Sequence, residues 1–266
     1  MRTIYSLLAL AMLCQACISQ NSINASMEIF PLSAPQLNVS SVFFDSITTV
    51  RISFDFPNAV IKYSLNGGAV IQSSKIYTAP LELTESAVIK VKVYHPDYLE
   101  SNEVQVEVVK TSTEKTIQEI TLTPNASENY PGLGAVGLGD FTKGAEQFGG
   151  DKQWMGFQAD TISAAIKLNS NIEVSNLVLS VLTNQSNWIF APAKIEVFNE
   201  GEKVGVLSNP NSAIETSSGA TFLKVPITKG TYNKFTVVVY PLDEIPEWHQ
   251  GKGSTPWLFI DEIIIQ

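Results

Sequence analysis

From about residue 38 onward the chain alternates apolar and polar residues at every second position. That spacing puts one row of side chains on each face of a β-strand. Val50, Ile52, Phe54 and Phe56 lie on one side of such a pattern, with Arg51, Ser53 and Asp55 on the other. Ile61, Tyr63 and Leu65 lead into Asn66-Gly67-Gly68, residues that accept positive φ at little cost and so predict a hairpin. "VIKVKVY" sets Ile89, Val91 and Val93 against Lys90 and Lys92, and "EVQVEVV" repeats the pattern through Val104, Val106 and Val108. The charged and hydroxyl-bearing "KTSTEKTIQE" (110–119) then breaks the alternation and predicts a domain boundary. Beyond it, "ISAAIKL", "NLVLSVL", "AKIEVFN", "TFLKVPI", "KFTVVVYPL" and "WLFIDEIII" predict further strands between Gly- and Asn-rich loops. No stretch sustains an amphipathic helix for three turns. The expectation is an all-β chain, with one small sandwich over 38–110, a linker over 111–118 and a second sandwich over 119–266.

The first residues follow a different rule. Arg2 gives a positive start, Ile4 to Leu13 is an apolar run shorter than the roughly 20 residues of a membrane-spanning helix, and "LCQAC" follows. This stretch resembles a bacterial lipoprotein signal (1–16) that would be cut before Cys17, with Cys14 as a rival acceptor and ordinary secretion as the alternative. Residues 17–37, polar and without period, read as a tether from a lipid anchor at Cys17 at the bacterial outer membrane or cell surface. Both cysteines of the chain, Cys14 and Cys17, fall in this region, so the folded part has no disulfide, thiol nucleophile or cysteine-based zinc site. With 44% hydrophobic and 16% charged residues, a core of ordinary size is expected. The formal net charge of −9 argues against nucleic acid and against an anionic lipid surface as electrostatic partners.

"YSLNGG" (63–68), "YTAPLEL" (77–83) and "AVIKVKVY" (87–94) resemble the small immunoglobulin-like β-sandwich near the C-terminus of chitobiases and β-hexosaminidases. That module carries no chemistry in the enzymes that own it, which implies a spacer or accessory role. The second segment resembles the discoidin-like, galactose-binding-like jelly rolls related to the coagulation-factor type C domain, in the version appended to bacterial family 20 hexosaminidases. The resemblance rests on "LGDFTKG" (138–144), "WMGFQAD" (154–160) and "SNWIFAPAKIEVF" (186–198), with Phe141 replacing the usual glycine after Asp140. In such folds the loop after the first strand and the final strand lie together and often hold a structural cation. This implies a calcium ion held by Asp140, Asp261 and Glu262 with turn carbonyls and the Thr142 hydroxyl, or a metal-free loop neutralised by Lys143.

Sugars present flat C–H faces, so their sites combine exposed aromatic rings with planar amides. Asn184, Gln185 and Asn187 precede Trp188, and Trp248-His249 sits in a Gly-flanked loop; Asn184, Asn187, Trp188, Trp248 and His249 are therefore the candidate glycan ligands. The opposing reading makes the tryptophans core plugs, above all Trp154 and Trp257, which adjoin apolar strand residues. His95, before a proline, reads as a turn residue. A hydrolase would need His249 with Ser254 and Asp243 or Glu244, without any nucleophile-elbow motif. "PGLGAVGLGD" (131–140) lacks the Lys-Ser/Thr ending of a phosphate loop. The expected function is non-catalytic carbohydrate binding; the alternative is a structural or protein-interaction module that positions a partner glycosidase or transporter.

Overall fold

The computed structural model describes residues 30–111, 116–216 and 218–266. The stretch read as a signal (1–16) and Cys17 lie outside the described residues. The first sandwich consists of β1 (Gln36–Val39), β2 (Phe43–Phe44), β3 (Thr48–Ser53), β4 (Val60–Leu65), β5 (Lys75–Ile76), β6 (Leu81–Leu83), β7 (Ala87–Tyr94) and β8 (Val104–Lys110). Its two sheets run β1-β3-β6 and β2-β8-β7-β4-β5. The alternating apolar rows meet between them, Val50 and Ile52 against Ile89, Val91 and Val108. Two expectations change here. The fold begins inside the stretch read as tether: Pro31 bridges Leu99, Leu32 is buried and β1 starts at Gln36. Asn66 does not open a two-residue hairpin. Its N–H donates to the Val88 carbonyl at 2.9 Å and its Oδ1 accepts the Val88 N–H at 2.8 Å, closing the end of the β4–β7 ladder.

The second sandwich comprises β9 (Ile117–Thr123), β10 (Met155–Phe157), β11 (Ile162–Thr183), β12 (Lys194–Asn199), β13 (Glu202–Ser208), β14 (Gly219–Tyr240) and β15 (Leu258–Ile265). The predicted strands "ISAAIKL" and "NLVLSVL" are one strand, β11, and "TFLKVPI" and "KFTVVVYPL" are one strand, β14. The polar residues between them keep an extended, paired backbone. Register shifts at Lys167/Ile172 and Val174/Asn176 bend the β11–β14 ladder there. Each long strand thereby serves both layers. The first half of β11 pairs with β9 and the end of β14, and its second half pairs with β15 and the start of β14. Ile162, Ala164, Ile166, Val237 and Val239 of one layer close on Leu177, Leu179, Val181, Ile260 and Ile263 of the other.

This topology concentrates loops at one end. The connections 158–161, 184–193, 209–218 and 241–257 each cross from one layer to the other beyond the paired strand ends Ile162/Val239, Lys194/Tyr240, Thr183/Gly219 and Phe157/Leu258. The first sandwich packs elsewhere, on the outer face of the β11–β15 layer, where Phe43 and Val109 meet Val178, Ile264, Phe222 and Phe141. The Gln266 side-chain amide donates to the Lys110 carbonyl at 2.7 Å across this junction.

Phe141 shows why glycine is dispensable in the loop after Asp140. It holds φ at 60°, the left-handed region glycine would favour, while its ring enters the junction cluster. A left-handed non-glycine residue costs about 1–2 kcal/mol, similar to what burying an aromatic ring returns. Phe141→Ala keeps the strain and loses the ring, whereas Phe141→Gly loses both. Phe141→Ala should therefore melt lower than Phe141→Gly, by about 1 kcal/mol in thermal or urea denaturation.

Candidate functional site

The inter-layer loops bring Trp188 and Trp248 to the same end of the second sandwich, both solvent-exposed at 39% and 45%. Buried polar residues that the sequence did not mark as structural lock these loops together. The Gln185 side chain donates to the Ile214 carbonyl at 2.8 Å and accepts the Thr216 N–H at 2.9 Å, tying 184–188 to 209–216. His249 is a correction to the expected ligand set, because it lies inside. Its Nδ1 accepts the Gly251 N–H at 3.0 Å, so its Nε2 carries the proton and donates to the Gln185 carbonyl at 2.8 Å. With both nitrogens held by backbone, His249 has none left to activate the Ser254 hydroxyl. Gln185, read as a hydroxyl-binding amide, is likewise a stitch between loops.

Trp188 is itself under backbone constraint. It adopts a left-handed φ of 64°, donates its N–H to the Gln185 carbonyl at 2.8 Å and accepts the Trp257 N–H at 2.8 Å. Its ring lies on the backbone of Gly251, where an added Cβ would approach to 3.0 Å. Trp248 donates its indole N–H to the Ala213 carbonyl at 2.8 Å and stands against Phe190 and His249 with centroids at 6.3 and 5.5 Å. Asn184 Oδ1 accepts from Ser186 Oγ and Asn187 Nδ2, each at 2.9 Å, so the pair forms a small amide turn ahead of Trp188. Asn187 is exposed and Asn184 half-buried. Trp154 and Trp257 take the core role: with Tyr130, Phe148 and Phe259 they cover Leu182 and Ile189 below the tip.

The acidic candidates form a second, buried locus. Ser180 pairs with Glu262 and Val181 with Ile260, leaving Asp261 as the extra residue of a β-bulge. The bulge lets two consecutive acids avoid the apolar core and lie under the 140–144 loop. Asp261 Oδ2 accepts the Lys143 ammonium at 2.6 Å and the Gly144 N–H at 2.7 Å. Burial pushes Asp261 up and Lys143 down, toward their neutral forms. Two donors on one oxygen at these distances nevertheless make this a charged pair. The Lys143 ammonium also stands 3.8 Å from the Trp154 ring centroid, and Gly144 is required because a Cβ there would sit 2.4 Å from the Trp154 indole nitrogen. Asp140 Oδ1 accepts the Thr142 N–H at 2.8 Å and shapes the turn.

Glu262 is different. Both of its oxygens are buried and neither makes a well-formed hydrogen bond, although the Phe141 and Thr142 N–H groups lie near the carboxyl; Asp261 Oδ1 and Ser180 Oγ beside it are likewise buried without a well-formed one. Burial first, then repulsion from Asp140 and Asp261, pushes its carboxyl up to about 9, only partly opposed by the Phe141 and Thr142 N–H groups. Among the described residues no group of three or more His, Cys, Asp or Glu side chains converges as a metal cage. Any cation here would lean on backbone carbonyls. The orphaned oxygens fit a hard, oxygen-seeking ion.

A surface groove of about 960 Å³ lies away from both loci, on the outer face of the β9–β11–β14 layer. Thr121, Lys167, Asn233 and Lys234 line it without an exposed aromatic ring, so it offers no stacking surface.

A carboxyl whose folded pKa exceeds its unfolded value takes up a proton on folding. Glu262 therefore contributes stability that is fully present below about 4.5 and lost as pH rises through about 9. In metal-free buffer, Tm should fall by several degrees between these limits, and Glu262→Gln should flatten that slope in a calorimetric pH series.

Residues 40–106 match the family model described as the chitobiase/beta-hexosaminidase C-terminal domain. No curated protein matches the sequence. Among solved structures, the chain is similar to CBM32 of AlyQ in complex with 4,5-unsaturated mannuronic acid, at 15% identity over 56% of this chain and 95% of that one, TM-score 0.31. A CBM32 protein produced by Clostridium perfringens, in complex with GlcNAc-alpha-1,4-galactose, is 19% identical over 57% and 91%, TM-score 0.34. The SusE-like protein BT2857 is 8% identical over 86% and 95%, TM-score 0.38. The family match covers the first sandwich.

Proposed function

We propose that this protein is a non-catalytic surface lipoprotein that binds carbohydrate on the Trp188–Trp248 end of its second sandwich. One observation carries the reading: two indoles stand in water on loops that buried Gln185 and His249 hold rigid. Loops ordered before binding lose less entropy on capture, which matters for sugars, whose hydroxyls gain little by exchanging water for protein. The left-handed backbone of Trp188 supports the same reading, because backbone strain of this kind clusters at ligand-binding positions. The first sandwich serves as the spacer between this end and a lipid anchor at Cys17.

At the buried locus, Glu262 and Asp140 with carbonyls of the 140–144 turn would hold a calcium ion, while Asp261 stays with Lys143. The ion would supply the positive charge that Glu262 otherwise lacks and so stiffen the loop under which the strand ends. Its role is structural.

On a glycan array, the mature protein should give saccharide-specific signal, reduced about tenfold or more in Trp188→Ala and Trp248→Ala. Signal that survives both changes would remove the site from the reading. Silence across diverse glycans with a co-purifying glycosidase or transporter would favour the scaffold role instead. For the cation, chelation should lower Tm by several degrees at neutral pH and Asp140→Ala should erase the difference; an unaltered melt would remove calcium from the account.

A further inference from the structure

The far end of the first sandwich carries an aromatic surface that sugar binding does not use. β7 pairs its Ala87 end with Val108, beside the junction with the second sandwich, and its Tyr94 end with Val60 of β4. The loops 54–59 and 95–99 therefore lie at the end opposite that junction. Phe56, His95 and Tyr98 stand edge to face there, with ring centroids 5.0 to 5.4 Å apart, so the two loops hold each other in place. The Leu99 N–H donates to the Phe30 carbonyl at 3.1 Å and its carbonyl accepts the Leu32 N–H at 3.0 Å, which ties the entering chain to the same end. Phe30, Leu99 and Phe56 are nevertheless 56%, 49% and 37% exposed. No lysine or arginine occurs in 54–60 or 95–99, while Asp55 and Asp97 are exposed.

What covers this surface follows from where the chain leads. Phe30 is thirteen residues after Cys17, a stretch that spans at most about 45 Å when fully extended. Resting on the lipid-anchor reading above, we infer that this end of the first sandwich beds on a phospholipid surface, with Phe30, Phe56 and Leu99 entering the headgroup layer. A tether makes that contact intramolecular, so apolar side chains with little affinity of their own suffice. The missing cations and the exposed Asp55 and Asp97 fit zwitterionic headgroups and disfavour anionic ones. Seated so, the sandwich holds one orientation on the membrane, with its junction to the second sandwich directed away.

The test holds residues 18–266 on phosphatidylcholine vesicles through an N-terminal polyhistidine tag and a nickel-chelating lipid, so that tethering does not depend on acylation. A fluorophore is placed on Asp97→Cys or, at the Trp188–Trp248 end, on Asp243→Cys, and its quenching by nitroxide-labelled phosphatidylcholine is read. Quenching should be at least about threefold stronger at position 97 than at position 243. Phe30→Ser with Leu99→Ser, both outside the ring triad, should bring it to the level at 243 without changing Tm. A difference that survives this change reflects the tether alone and would overturn the seating. Equal quenching at both positions, or a dimer that shields position 97 from the nitroxide, would overturn it too. Lipidation is read separately, as the mass of the Cys17 peptide from the full chain exported by a bacterium. A bare Cys17 with strong quenching at 97 would overturn the anchor and leave the lipid-facing surface standing; a lipidated Cys17 without that quenching would do the reverse.

Discussion

Two consecutive acids must be kept out of an apolar core, and the way β15 does so organises the second sandwich. Strict alternation would send either Asp261 or Glu262 between the layers. The bulge removes that choice by turning both to the outer face. Once there they need a cover, because a buried carboxylate with no partner is costly. Removing one member of a buried pair typically costs about 3–5 kcal/mol. The Lys143 ammonium and the Gly144 N–H answer Asp261, and in doing so pin the loop that carries them.

Everything on that face follows from the pinned loop. Toward one side it presents Phe141 to Phe43 and Val109, which fixes where the first sandwich attaches. Toward the other it lays Trp154, Phe148 and Tyr130 over Leu182, Phe259 and Trp257. Trp257 in turn donates its backbone N–H to Trp188, so the exposed indole rests on a floor that begins at the acid clamp. A cation under Glu262 would act on the proposed sugar site through this floor, as a support and not as a ligand of the glycan.

The site itself separates rigid from adaptable parts. Gln185, His249 and the Asn184 turn spend their hydrogen bonds inside the protein, and this internal use makes the loops stiff. What remains for a ligand is apolar faces and the Asn187 amide. Such a surface gains most of its selectivity from stacking geometry, and little from a deep cavity.

Strand-period alternation in "VIKVKVY" and "WLFIDEIII" was enough to foresee an all-β chain with its core rows, because the period of side-chain direction in a strand is local. The crowding of Trp188 and Trp248 with amides was visible as composition. Long-range pairing was not. That β11 and β14 run unbroken through polar stretches depends on partners far along the chain, and no window of sequence contains both. Gln185 and His249 have the chemistry of ligand residues and became internal ties only because folding brought loops 184–188, 209–216 and 245–257 together. The adjacent acids of 261–262 announced something unusual in a core strand. Their burial on one face, and the upward push on the Glu262 carboxyl, came from a bulge whose existence requires the register of β11 against β15.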